Sequence, residues 1–179
     1  ALVVLPTGLG KTLIALLVAV NALQDGKVLF VAPTRPLVQQ HYDTFDALMA
    51  EGKALGMVLG AGGKKKRGAV YEGSRVIFAT PQCIANDLKG GVLQASELSL
   101  LIVDEAHRAV GNYAYVPICQ SVKCPILGLT ASPGGKKEKI LEVLKNLRAG
   151  VIEARDRDDP DVAKYVQDID IEWVKVDLG

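Results

Sequence analysis

Aromatic residues are few in this chain of 179 residues: three Phe, five Tyr and one Trp. Once a core is built, little is left for a platform on which bases would stack. No charge of one sign dominates either. Lys and Arg total 21 against 20 Asp and Glu, a net charge of +1, so no global field marks a nucleic-acid or membrane protein and any such site must be local. Cysteine is limited to Cys83, Cys119 and Cys124, an odd number without the paired two-residue spacing of zinc knuckles. That argues against a disulfide framework and a metal knuckle, and suits reduced thiols in a cytoplasmic protein. Long hydrophobic runs are missing too. The longest, residues 13–23, is broken by Asn21 and falls short of the roughly 20 residues of a membrane-spanning helix. It reads as a buried helix, and no membrane association is expected. The amino terminus lacks the basic, apolar and small-residue order of a secretion signal, and no internal repeat is found.

What the chain does have is 49% hydrophobic residues, enough for one domain with a sizeable core. Short apolar runs bounded by turn residues alternate with longer helical patterns. Strands are expected at residues 2–5, 28–32, 57–59, 75–79, 100–103, 126–129 and 169–176, and helices at 11–24, 36–50, 81–89 and 136–147. Most strand runs are continuously apolar, the pattern of burial on both faces of a parallel sheet. The fold class is therefore α/β, open and doubly wound, with a mostly parallel central sheet. Two stretches interrupt the alternation. "GAGGKKKRG", residues 60–68, reads as a flexible basic loop, and "RDRDDPD", residues 155–161, as an acidic surface turn. The last run, "IDIEWVKVD", alternates and belongs near a sheet edge. Because a strand pattern begins at once, a fragment cut at both ends is expected.

The first strand runs into "LPTGLGKT", residues 5–12. Gly8 and Gly10 let the backbone turn tightly and bring N–H groups to phosphate oxygens, and the helix that follows points its positive end at the same place. Lys11 supplies a mobile charge and Thr12 a hydroxyl for Mg2+, so Thr7, Gly8, Leu9, Gly10, Lys11 and Thr12 are the candidate nucleotide contacts. The first glycine of the GxxxxGK[ST] pattern is here Leu5. Such a loop needs a carboxylate on a neighbouring strand. "LLIVDEAH", residues 100–107, offers two: Asp104 at the tip of a buried strand as a metal ligand, and Glu105 next to it to activate water. ATP hydrolysis by in-line attack follows, with Lys11, Asp104 and Glu105 as catalytic residues and ATP and Mg2+ as cofactors. None of Arg35, Arg75, Arg108 and Arg148 sits in a context that aims it at the γ-phosphate, so that charge is expected from another domain.

The order "LPTGLGKT", "DEAH", "LTASP" (residues 129–133) resembles the first motor domain of superfamily 2 helicases, with "APTRPLV" (32–38) similar to motif Ia and "ATPQ" (79–82) to motif Ib. "DEAHRAVGNYAYV", "LGLTASPG" and "IEWVKVDL" are further similar to the archaeal Hef and animal FANCM branch, relatives of Dicer and the RIG-I-like receptors. The resemblance implies a three-layer RecA-like domain over residues 1–179, with a second RecA-like domain in the same polypeptide. It implies an ATP-dependent helicase or translocase working on branched DNA in repair, this domain being nearly inactive alone. His107, Thr130 and Ser132 become the elements that couple nucleotide state to nucleic-acid grip.

Motifs Ia and Ib make physical sense as clamps on a sugar-phosphate backbone: Thr34, Arg35, Thr80 and Gln82 present hydroxyl, cation, amide and free N–H groups at two helix starts. The competing reading is ordinary helix capping, for which Thr followed by Pro is a common signal. Lys64 to Arg67 reads first as a solvated loop, and Lys136, Lys137 and Lys139 as decoration of a helix start. His41 is expected on the surface of a helix. Tyr113 and Tyr115 are expected to pack against a neighbouring helix in preference to wedging a duplex. Two other functions compete with the motor: a nucleotide-gated module that grips RNA or double-stranded nucleic acid without separating strands, and an unrelated phosphate-loop enzyme such as a kinase or transporter ATPase.

Overall fold

The continuous apolar runs become strands whose alternate side chains enter two different cores. In the computed structural model, which describes residues 1–49, 54–60 and 62–163, seven strands form one sheet: β1 (Leu2–Val4), β2 (Lys27–Val31), β3 (Leu55–Val58), β4 (Val76–Ala79), β5 (Leu98–Val103), β6 (Ile126–Thr130) and β7 (Ile152–Ala154). Every pairing is parallel, in the order β3-β4-β2-β5-β6-β1-β7. Val28, Phe30, Val76, Phe78, Leu100 and Ile102 face one side, where α1 (Lys11–Ala22) and α2 (Arg35–Leu48) cover them with Ala15, Leu16, Ala19, Val38 and Phe45. Leu29, Val31, Ile77, Leu101 and Val103 face the other. There α3 (Lys64–Gly73), α4 (Pro81–Lys89), α5 (Tyr115–Ser121) and α6 (Lys137–Asn146) supply Tyr71, Ile84, Tyr115, Ile118, Val143 and others. Each wholly buried aliphatic or Phe side chain contributes about 1.5–3 kcal/mol, more than a typical helix cap, so this two-sided burial decides the architecture. At Gly128 on β6 an added Cβ would meet Leu147 Cδ1 at 2.7 Å and both Ala106 Cβ and Leu2 Cδ1 at 3.1 Å. Only glycine lets those neighbours close over the strand.

Several elements depart from the sequence reading. The basic stretch expected as a loop over residues 60–68 is helical from Lys64, because Tyr71 on its far turn is drawn into the core. Helix α5 and the exposed edge strand β7 were not anticipated: α5 is seven residues with Pro117 inside it, and β7 only three. The acidic stretch 155–161 does turn, and runs into the short helix α7 (Pro160–Ala163). The strand expected at 169–176 lies outside the described residues. Among the described residues no helix is long and apolar enough to cross a membrane.

The sheet order sorts the motifs. Along its carboxyl edge, the ends of the three adjacent strands β5, β6 and β1 lead into Asp104, Thr130 and the 5–12 loop, while the neighbouring β2 and β4 lead into Thr34 and Thr80. Five motifs spread over residues 5–133 of the chain thus share one rim, where open α/β sheets bind ligands.

Candidate nucleotide site and nucleic-acid cleft

After β1 the chain turns through Gly8 (φ 85°) and Gly10 (φ 89°), left-handed positions that suit glycine. Gly10 caps α1 without a side-chain hydrogen bond, so the first N–H groups of α1 remain available to an anion. Thr7 and Leu9 lie within the loop. Lys11 bends over it and donates from Nζ to the carbonyls of Leu5 (2.7 Å) and Pro6 (3.1 Å). Burial lowers the Lys11 pKa, and the nearby carboxylates of Asp104 and Glu105 pull it partly back. An apolar cleft opens beside the loop, with Leu9, Leu13, Ile14 and Val162 in its walls.

Asp104 sits one residue past β5, nearly buried, and its N–H donates to the Val31 carbonyl at 2.9 Å. Behind it, the hydroxyl of the fully buried Tyr115 donates to the Asp104 carbonyl at 2.7 Å. Tyr115 therefore packs, as expected, and stands 5.0 Å from Tyr113 in a T-shaped pair. Glu105 takes a left-handed backbone (φ 48°, ψ 49°), a conformation a non-glycine residue holds only when its surroundings impose it. Its side chain is partly exposed, with Oε2 at 3.3 Å from His107 Nδ1.

His41 corrects an expectation. It is 7% exposed, not a surface residue, because the inward face of α2 is Val38, His41 and Phe45, one side chain per turn. Its Nε2 lies 2.9 Å from Asp104 Oδ2 and its Nδ1 3.4 Å from Thr12 Oγ1. Thr12 and Asp104, separated by 92 positions in the sequence, thus share one imidazole.

His107, Thr130 and Ser132 meet in a compact network. The Thr130 hydroxyl donates to the Ser132 carbonyl at 2.7 Å and accepts from the Ser132 N–H at 3.2 Å. With its own proton so used, the hydroxyl is left to accept from His107 Nδ1 at 3.0 Å. The network joins the ends of β5 and β6 beside Glu105.

Thr34, Arg35, Thr80 and Gln82 line one cleft of about 400 Å³. Thr34 does cap its helix, its Oγ1 accepting from Leu37 N–H at 3.5 Å, whereas Thr80 makes no side-chain cap bond. The capping explanation covers the first turn and not the second. Arg67, which the sequence places in a solvated basic loop, and Asn86, which the sequence reading passed over, also line the cleft. Arg67 is committed elsewhere: Nε and Nη2 grip the two oxygens of buried Asp87 at 2.7 Å each, and Nη1 donates to the Gly62 carbonyl. Tyr71 donates a third bond to Asp87 at 2.6 Å. Burial alone would raise the Asp87 pKa, but the Arg67 and Tyr71 bonds outweigh it and the net direction is down. The carboxylate thus locks α3 to α4, and Arg35 carries the cation of the cleft that the motif supplies. Asp87→Asn is expected to lower stability by about 1–3 kcal/mol, read as a lower denaturant midpoint. This is less than the loss for a fully buried ion pair, since the freed Arg67 can turn to water in the cleft. An unchanged midpoint would remove the lock.

A family model for DEAD/DEAH box helicases matches residues 1–140. The chain belongs to this family. As a DEAD/DEAH box helicase domain it is similar to the solved Hef helicase domain of Pyrococcus furiosus, with 48% identity and a TM-score of 0.88 over 99% of this chain and 40% of that one. It is 39% identical to the ATP-dependent DNA helicase fml1 of Schizosaccharomyces pombe, over 99% of this chain and 22% of that protein. It is 38% identical to the DEAD-box ATP-dependent RNA helicase FANCM of Arabidopsis thaliana, over 99% of this chain and 14% of that protein. The chain thus spans less than a quarter of these two curated relatives. The DEAD/DEAH box domain is an ATPase domain, and the RecA-like fold and the Hef and FANCM likeness read from the motifs both hold.

Proposed function

We propose that this chain is the ATP-binding motor domain of a DNA helicase or translocase that works on forked or branched DNA in repair and replication restart. The observation that carries the reading is the sheet order, which sets the loop, Asp104 and Thr130 on three adjacent strands and the two cleft turns on the next two. In this reading Thr7, Gly8, Leu9 and Gly10 and the first turn of α1 receive phosphate oxygens through N–H groups, Lys11 neutralises charge on the β and γ phosphates, and the apolar cleft faces the nucleoside. Among the described residues no three His, Cys, Asp or Glu side chains gather to hold a metal. One hydroxyl and one carboxylate, Thr12 and Asp104, fit Mg2+, which keeps waters and substrate phosphates as its other ligands. Bound there, Mg2+ supplies charge neutralisation at the phosphate oxygens. Glu105 accepts the proton of the attacking water. His107, Thr130 and Ser132 pass the state of the site to the groove, and a second RecA-like domain of the same polypeptide supplies the missing arginine.

Thr34, Arg35, Thr80 and Gln82 hold a strand by its sugar-phosphate backbone, so sequence preference is expected to be slight. The same chemistry serves RNA, and the names of the two curated relatives are divided between DNA and RNA helicases. The test is strand displacement from forked DNA by the full-length protein with ATP, together with Arg35→Ala. That substitution is expected to weaken DNA binding evenly across sequences and to reduce the slope of log affinity against log salt by about one. An unchanged slope would take Arg35 out of the interface. Robust ATP turnover without displacement or branch movement, on DNA and with RNA as the stronger stimulant, would favour the RNA-gated module.

A further inference from the structure

His41 is the one histidine of the chain that the motor reading leaves without a task, and its surroundings give it one. Its ring is held by packing: it lies on Phe30 of β2 with centroids 4.5 Å apart, and the residue is nearly buried. Both ring nitrogens are engaged. Asp104 as a carboxylate only accepts, so the proton sits on Nε2 and is donated to Oδ2; Nδ1 then has a lone pair and accepts from the Thr12 hydroxyl. The polarity matters. A hydroxyl that is to face a cation must turn its oxygen lone pairs toward it and send its proton elsewhere, and His41 Nδ1 takes that proton. A carboxylate that is to face a cation must be kept from rotating, and the Nε2–H bond fixes Oδ2 while leaving Oδ1 to the site. One ring therefore sets the orientation of the hydroxyl and of the carboxylate together.

We propose that His41 is the positioning residue of the metal site, orienting Thr12 and Asp104 as a pair and tying both to α2. The inference rests on the nucleotide-site reading above. It goes further, because α2 is also the helix that begins at the cleft with Arg35, capped by Thr34, about 9 Å of helix from His41. A strand drawn into the cleft and a cation held at the loop then act on the two ends of the same stretch of helix.

The experiment uses the full-length protein loaded with a non-hydrolysable ATP analogue, and Mn2+ as the probe followed by its EPR signal. His41→Phe keeps an aromatic ring against Phe30 and removes both hydrogen bonds; His41→Gln offers one N–H and one carbonyl in a single side chain. The expected result is Mn2+ affinity about tenfold to a hundredfold weaker in His41→Phe, with most of it restored in His41→Gln. Metal-free affinity for the analogue should stay at the wild-type level in both, and turnover of His41→Phe should recover as Mg2+ is raised. Mn2+ affinity in His41→Phe within twofold of wild type would overturn the proposal. Equal losses in the two variants would also overturn it, by assigning the effect to packing instead of to the bonds. Lys11→Ala is measured alongside: if it binds ATP as well as wild type, the nucleotide-site reading itself fails, a result distinct from any obtained with His41.

Discussion

Glu105→Gln in the full-length protein is expected to bind ATP with near wild-type affinity and to lose turnover by about 10²- to 10⁴-fold, the range that a positioned general base supplies. Three features make the variant informative. Gln has the size of Glu, and like Glu it bears the modest cost of the left-handed backbone at φ 48°, so the turn after Asp104 should survive. The Glu105 side chain is about one-third exposed, so an amide there leaves no buried group unpaired. Its contact with His107 Nδ1 at 3.3 Å can be made by the amide oxygen, and the shorter approach of Thr130 Oγ1 to that nitrogen, at 3.0 Å, does not involve the Glu105 side chain. What disappears is the negative charge and its capacity to take a proton. The loss of attraction to Lys11 is the smaller effect, because Asp104 stands ahead of Glu105 among the charges acting on that lysine. Phosphate release measured beside equilibrium ATP binding separates the two. Turnover within a few-fold of wild type would remove Glu105 as the base.

How much of this was legible beforehand depends on whether the deciding contact was local. The strands β1, β2, β4, β5 and β6 were readable because each contains a continuous apolar run, as burial on both faces demands. The loop and the Asp104–Glu105 pair were readable because strand, turn and helix stand consecutively there. Helix α3 was not. "GGKKKRG" has the composition of a breaker, and what makes it helical is distant: Tyr71 entering the core and Arg67 and Tyr71 both bonding to Asp87 on α4. Tertiary contacts overrode local preference. Strand β7 is three exposed residues at a sheet edge, too short for any periodic signal. His41 differs from these cases, because its signal was present. Val38, His41 and Phe45 repeat at helical spacing on α2, which puts the histidine on the inward face; read without that spacing, it is expected on the surface. A polar residue on the apolar stripe of a helix packed beside α1 merits a search for its partner.

The order of strands was the part that no local pattern carried, and it is what turns five motifs into two adjoining sites. A sheet in sequence order would have left β5 and β6 away from the 5–12 loop. The order found sets β6 between β5 and β1, with Thr130 paired to Val4 and Gly128 to Leu2. The hydrogen-bonded network of His107, Thr130 and Ser132 follows from that register, since Thr130 is the last residue of the strand that separates the loop from Asp104.

Lys11→Ala is expected to weaken ATP binding by about 2–5 kcal/mol, roughly thirty-fold to several-thousand-fold in Kd, without unfolding the protein. The size of the loss follows from what remains. The α1 N-terminus and the loop N–H groups persist, but a helix dipole at a partly open terminus is worth only about 0.3–1 kcal/mol, too little to hold a triphosphate in place of a full charge. The loop itself should keep its shape. Its turns come from Gly8 and Gly10, and it is anchored to β6 by the Leu5 N–H bond to the Thr130 carbonyl at 3.0 Å; the Leu5 and Pro6 carbonyls that Lys11 vacates can be hydrated. Nor does the free protein depend on the ammonium. Burial lowers the Lys11 pKa, which means that folding disfavours its charged form, so at neutral pH removing the charge does not take stability away. Lys11→Arg is expected not to rescue, because a planar guanidinium does not replace a compact ammonium at a loop shaped around it. Isothermal titration of ATP beside a thermal melt provides the check: unchanged affinity would refute the site, and a collapsed melting temperature would make Lys11 a structural residue instead.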